Sequence, residues 1–372
     1  MPTQIEAGEH RAWGWVAALR DGATTPWHDF AGTADRGGRY LPGAQQLELL
    51  RRLNANGRPG PALVERVLTA SAPGRGRPDL QLVGAAEESA FGPRPVDPAE
   101  LPPAELVRVA TSLIAEDLVA AGPPPAPPPG RPRPWRRAYR LVGDPWLADP
   151  IRAELRRRGR PPGGRRPAIL VLGTDLATML AHAWSARSFA EGGAGWRDWL
   201  SGFAAHDRVP PRADLATHAR TWAKRAGRQR VEVVLGPERL PALVGVRRAL
   251  PATPAYSADA VDLARRVSAP LGLLVLPEPR ARLLRETLGP RLADAPGGPL
   301  GIPPAHVEWV QGRAARMRDA LLRAGYAVHG DPDALVPDAP AEGSTPDDAG
   351  VLSLAVRLLL DHGDRRSQEV SS

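Results

Sequence analysis

Pro167-Ala168-Ile169-Leu170-Val171-Leu172-Gly173-Thr174-Asp175-Leu176-Ala177 is the stretch on which the fold turns. The apolar run 168–172 predicts a strand buried on both faces, Gly173 breaks it, and Thr174-Asp175 opens a helix over 175–190. A strand that ends in glycine before a capping side chain leaves backbone N–H groups and a positive helix end free. Gly173 and Thr174 are therefore candidate contacts for an anionic ligand. Residues 231–235 and 271–276 predict two further strands, with helices at 213–226 and 258–267 and a closing apolar helix at 351–360. Strand alternating with helix implies an α/β fold, a mainly parallel sheet flanked by helices.

Upstream, residues 122–134 hold eight prolines in thirteen positions. Fixed φ and missing N–H groups exclude helix and sheet interior, so this is a semi-rigid polyproline spacer between residues 1–121 and 135–372. Residues 1–121 read as mostly helical, with apolar faces on Trp13, Val16 and Leu19, on Leu47, Leu50 and Leu53, and on Leu106, Val109 and Leu113. Loops are expected at 72–78 and 91–95. There is also an internal echo. Ala12-Trp13, Gly22 and Trp27-His28-Asp29-Phe30 parallel Ala183-Trp184, Gly193 and Trp196-Arg197-Asp198-Trp199. The first part then reads as a reduced duplicate of the second without its strand.

Of 49 basic residues only Lys224 is lysine, beside 43 prolines and 38 glycines. A GC-rich coding sequence produces that bias, so net charge is not read here as a nucleic-acid signal. Its placement is more informative. Residues 131–166 hold 12 arginines against Asp144, Asp149 and Glu154, and the rest of the chain is close to neutral. Leu147, Ile151 and Leu155 at helical spacing beside Arg156, Arg157 and Arg158 predict an amphipathic helix with a basic outer face, either solvated or anion-binding. Arg165 and Arg166, just before the strand, are candidates for holding a phosphate or sulfate group.

No apolar run reaches the roughly 18 residues of a membrane span, and the N-terminus lacks a basic segment leading into an apolar one, so a cytoplasmic location is expected. Without cysteine there is no disulfide or thiol chemistry. His182, seven residues after Asp175 on nearly the same helix face, is the candidate base of a hydrogen-bonded pair. His28-Asp29, His206-Asp207 and His329-Gly330-Asp331 lack metal-ligand spacing, and no metal is expected. No Gly-x-Ser-x-Gly elbow anchors an acyl-transfer triad. Trp184, Trp196, Trp199 and Trp222 are either core residues or the walls of a sugar-stacking groove.

Thr174-Asp175-Leu176-Ala177 with Ala183-Trp184 and Trp196-Arg197-Asp198-Trp199, then Trp222 before Arg230-Val231-Glu232-Val233-Val234, then residues 257–267, 303–310 and 324–331, resemble actinobacterial proteins related to P-loop sulfotransferases. The resemblance covers residues 167–360. It implies a sulfotransferase-like α/β domain, the donor PAPS, and a glycan or small hydroxyl acceptor, with Thr174, Asp175, His182 and Arg187 around the strand end and an anionic donor in the cleft; on that reading His182 and Asp175 are the catalytic candidates and Gly173, Thr174, Arg165, Arg166 and Arg187 the cofactor contacts. Two elements of that family depart here. No strand leads into a phosphate-binding loop, and Thr174 stands where an Arg meets the donor's 3′-phosphate. The resemblance thus implies a non-catalytic or diverged relative that needs no cofactor and serves a protein or glycan partner in envelope metabolism. Its alternative is an active transferase, and a weaker one is anionic-polymer binding through the arginine-rich segment.

Overall fold

Four strands, β1 (Tyr139–Gly143), β2 (Ala168–Gly173), β3 (Val231–Leu235) and β4 (Ala327–His329), form one parallel sheet in the order β1-β2-β3-β4. The structure is a computed structural model and describes residues 4–70, 79–85, 94–125, 128, 130–131, 137–337 and 343–370. In chain order the helices are α1 (Gln4–Arg20), α2 (Ala44–Asn56), α3 (Pro61–Thr69), α4 (Pro103–Ala121), α5 (Pro145–Arg157), α6 (Leu176–Ser188), α7 (Trp196–Ala204), α8 (Leu215–Ala226) and α9 (Leu240–Leu243). They continue with α10 (Ala258–Leu274), α11 (Pro277–Arg282), α12 (Gly289–Leu292), α13 (Val307–Ala324) and α14 (Asp348–Val370). The chain divides into two compact units, one of Met1–Pro123, Leu263–Arg291 and Asp347–Ser372, the other of Pro124–Asp262 and Leu292–Pro346.

The second unit carries the sheet. Side chains alternate across a strand, so the register sorts them into two faces. Tyr139, Leu141, Leu170, Leu172 and Val234 share one face and cluster with Leu147, Ile151 and Leu155 of α5 and with Leu240 and Val244 around α9. The opposite face packs on α8, where Leu215 fills the space beside Gly173 and the Arg140 guanidinium lies over the Trp222 ring. With α5 and α8 covering opposite faces, β2 is buried on both, as its continuous apolar run requires. Each of β1, β2 and β4 ends at or beside a glycine that touches its neighbour: a Cβ on Gly143 would stand 2.2 Å from the Leu172 carbonyl oxygen, and one on Gly330 2.4 Å from that of Leu235.

Two sequence readings are corrected. Residues 271–276 are not a strand: α10 runs on to Leu274, because Leu263, Val267 and Leu271 repeat at helical spacing and are buried, whereas Leu273 and Leu276 are 79% and 74% exposed. Residues 135–372 are not one α/β domain either, since 263–291 and 347–372 belong with the N-terminal helices. There α4 packs along α14, and Arg66 of α3 clamps α4 through the Asp117 carboxylate, 2.7 Å away, and the Leu113 carbonyl. The division at Pro123 falls in the proline-rich stretch, of which 126–127, 129 and 132–134 lie outside the described residues. So do the expected loop at 72–78 and the first half of that at 91–95.

The internal echo has a counterpart in hydrogen bonds, in a shifted register. Trp15 donates its indole N–H to the carbonyl of Thr25, ten residues on, sits 5.4 Å from Trp27, and Trp27 donates to Val83. In the second unit Trp184 donates to Ala194, also ten residues on, sits 5.4 Å from Trp196, and Trp196 donates to Gly301. Leu82 forms an isolated parallel bridge with Val96, and Leu300 forms one with Ser344. The N–H of Ala44, opening α2, goes to Leu80, and that of Ala258, opening α10, goes to Gly298. Trp15, rather than Trp13, thus matches Trp184.

Gly143 has φ +99°, so Gly143→Ala meets both left-handed strain and the Leu172 carbonyl. Denaturant unfolding of the variant should show a loss of about 2 kcal/mol or more.

Candidate functional site

The C-terminal ends of parallel strands are where α/β proteins hold ligands. At the end of β1, Asp144 is 1% exposed; its Oδ1 accepts the N–H of Trp146 at 2.9 Å and caps α5, and its Oδ2 lies 2.5 Å from Nδ1 of His182 on α6. His182 is thus paired with Asp144, not with Asp175. Asp175 accepts the Thr178 N–H at 2.9 Å and is the cap of α6. Gly173 gives its carbonyl to the Gly236 N–H and its bare Cα to Leu215, and the Thr174 hydroxyl donates to the Asp175 carbonyl.

The remaining expected anion contacts do not converge on Gly173 and Thr174. Arg165 and Arg166 precede β2, so the length of that six-residue strand, roughly 20 Å, lies between them and Thr174. Arg187 lies three turns into α6, about 16 Å from the helix start. A strand and a helix both carry their far ends away from the turn that joins them, so these three guanidiniums do not meet there. Trp184 and Trp196 are core residues with indole N–H groups bonded to backbone, the guanidiniums of Arg140 and Arg225 both lie over the Trp222 ring, and Trp199 lines a cavity. His329 pairs with Glu232 across the sheet at 2.7 Å, and no cluster of metal-ligating side chains occurs among the described residues.

Charge collects instead at the N-terminal edge of the sheet. A groove of about 1020 Å³ is lined by Arg157 and Arg158 at the end of α5, Arg160 in the turn before β2, and Gly245-Val246-Arg247-Arg248 after α9. Its single acidic residue, Glu154, is bonded by both Arg157 and Arg158, which hold its carboxyl below the usual carboxylate range against the opposing effect of burial. Arg158 also donates to the carbonyls of Arg248 and Ala249, at 3.2 and 2.9 Å, and so ties the two walls together. Tyr139 fixes the turn between, giving its hydroxyl to the Arg160 carbonyl at 2.5 Å and its own carbonyl to Gly163. Arg247 and Arg248 are exposed, and their guanidiniums have no hydrogen bond or ion pair among the described residues. Five guanidiniums against one carboxylate suit a multiply charged anion.

No protein-family model, curated protein or solved structure matches this chain.

Sequence reasoning found Arg157 and Arg158 but not Arg247 and Arg248, which stand apart in a stretch of ordinary charge. Asp144 was visible only as one acidic residue among arginines.

His218 of α8 has a displaced pKa. Burial lowers it, opposed by a bond to the Pro211 backbone and by Asp214, and its buried Nε2 has no partner among the described residues. A histidine whose folded pKa is lowered takes up its proton more readily in the unfolded chain, so stability falls as pH drops through the unfolded value near about 6.5. Thermal unfolding should show a midpoint that declines between about pH 7 and 5, and His218→Phe should flatten that decline.

Proposed function

We propose that the protein is a non-catalytic anion-binding module that holds a phosphorylated or sulfated polymer along the arginine groove of its second unit. The observation that carries this reading is the convergence of Arg157, Arg158, Arg160, Arg247 and Arg248 on one open groove of about 1020 Å³. Arg158 is pre-positioned by backbone carbonyls, so little side-chain freedom is lost when it meets a ligand. Arg247 and Arg248 supply donors that no group among the described residues consumes. Arg156, Arg165 and Arg166 are exposed on the same edge of the sheet and extend the positive surface.

A second reading, a transferase of sulfotransferase-like type using PAPS, is favoured by the Asp144–His182 pair at the C-terminal end of β1. The two readings put the anion at opposite ends of the sheet.

Titration of the purified chain with inorganic polyphosphate, a sulfated glycan and PAP separates them. Three or four guanidinium contacts predict polymer affinity that falls roughly 40- to 150-fold between 50 and 200 mM salt. Arg247→Ala with Arg248→Ala should weaken it about tenfold, and Glu154→Gln should strengthen it by removing the groove's own carboxylate. Polymer binding indifferent to salt and to these substitutions contradicts the proposal. PAP binding lost in His182→Ala but kept in the arginine variant would favour the transferase.

A further inference from the structure

A smaller cavity of about 280 Å³ lies in the second unit between the end of α6, α7 and the turn Pro210-Pro211-Arg212. It shares no residue with the arginine groove, so either site can fail alone. Its apolar part is formed by Trp199, 8% exposed, and Phe203, whose ring lies edge-on to it at 5.0 Å. Trp199 also stacks on Trp196, 5.7 Å away at an interplanar angle of 21°, so its ring is held from behind by the core. The polar part is Arg187, Arg212 and Glu191, all exposed, with side chains that make no hydrogen bond or ion pair among the described residues. Gly193, at φ +110°, leaves room for the Arg187 side chain to lie across the turn: a Cβ there would stand 2.9 Å from Arg187 Nε.

Two guanidiniums and one carboxylate leave a net charge of +1, which suits a monoanion. The aromatic ring offers a flat apolar face, and a carboxylate among cations accepts hydrogen bonds from hydroxyl groups. We propose that this cavity binds a sugar acid of the uronic acid class. The pyranose face lies against Trp199 and Phe203, the sugar carboxylate meets Arg187 and Arg212, and ring hydroxyls donate to Glu191. A cavity near the small end of the usual range for ligand sites admits a single ring.

The test is saturation-transfer NMR and calorimetry on the full chain with glucuronate, glucose, glucose 6-phosphate and benzoate. Saturable glucuronate binding is expected, at least tenfold weaker in Arg187→Gln and in Arg212→Gln, with glucose undetected. Glucose 6-phosphate, a dianion repelled by Glu191, should bind more weakly than glucuronate and should gain in Glu191→Gln. The three residues are exposed, and unchanged far-UV circular dichroism of each variant confirms that a loss is local. No glucuronate binding, equal binding of glucose, tighter binding of benzoate, or indifference to both arginine substitutions would each overturn the assignment.

Discussion

A carboxyl group with 1% exposure needs its lone pairs filled, and Asp144 fills them from three directions: the N–H groups of Trp146 and Leu147 on one oxygen and the His182 ring on the other. The Asp144 N–H is itself bound to the Leu172 carbonyl, 3.0 Å away on the neighbouring strand. One residue therefore joins the end of β1, the flank of β2, the start of α5 and the middle of α6. Removing the His182 ring leaves the buried Oδ2 of Asp144 without that partner, a cost of about 1–3 kcal/mol for an unsatisfied buried acceptor. With its start fixed over the sheet and Leu147, Ile151 and Leu155 packed beneath it, α5 can deliver its last turn only to the opposite edge. That is how Arg157 and Arg158 come to face Arg247 and Arg248.

The two ends of the sheet consequently differ in chemistry. At the C-terminal end several polar groups serve the fold: Asp144 and Asp175 cap helices, and the Gly173 carbonyl accepts from Gly236. At the N-terminal edge guanidiniums gather at the negative end of the α5 dipole, which favours them there. Their mutual repulsion is relieved by Glu154 and by backbone carbonyls rather than by further acidic side chains. An anion arriving at this edge therefore meets donors already oriented by the fold.

Much of the architecture was legible because burial on both faces leaves an unbroken apolar signature, as in β2 and β3. β1 was missed because Arg140 interrupts a strand of five residues that follows a proline- and arginine-rich stretch, and β4 because three residues carry no periodicity. Leu271-Gly272-Leu273-Leu274-Val275-Leu276 misled for the converse reason, since a short apolar run fits strand and helix alike and only its continuity with Val267 and Leu263 decides. The site was less legible than the fold. His182 pointed to a carboxylate partner on its own helix, whereas its partner lies 38 residues earlier and is brought near by strand pairing. The groove needs Arg158 beside Arg248, 90 residues apart, and no local pattern encodes that approach. The echo was visible through its tryptophans, but its register followed sequence identity around Trp13, while the paired indole hydrogen bonds belong to Trp15 and Trp184.

Hydrogen exchange measured by mass spectrometry, with and without saturating polyphosphate, addresses the central claim most directly. The account predicts slowed exchange in residues 154–163 and 244–249 with 144–147 and 174–178 unchanged. Protection confined to the strand ends at 144–147 and 174–178 would contradict it.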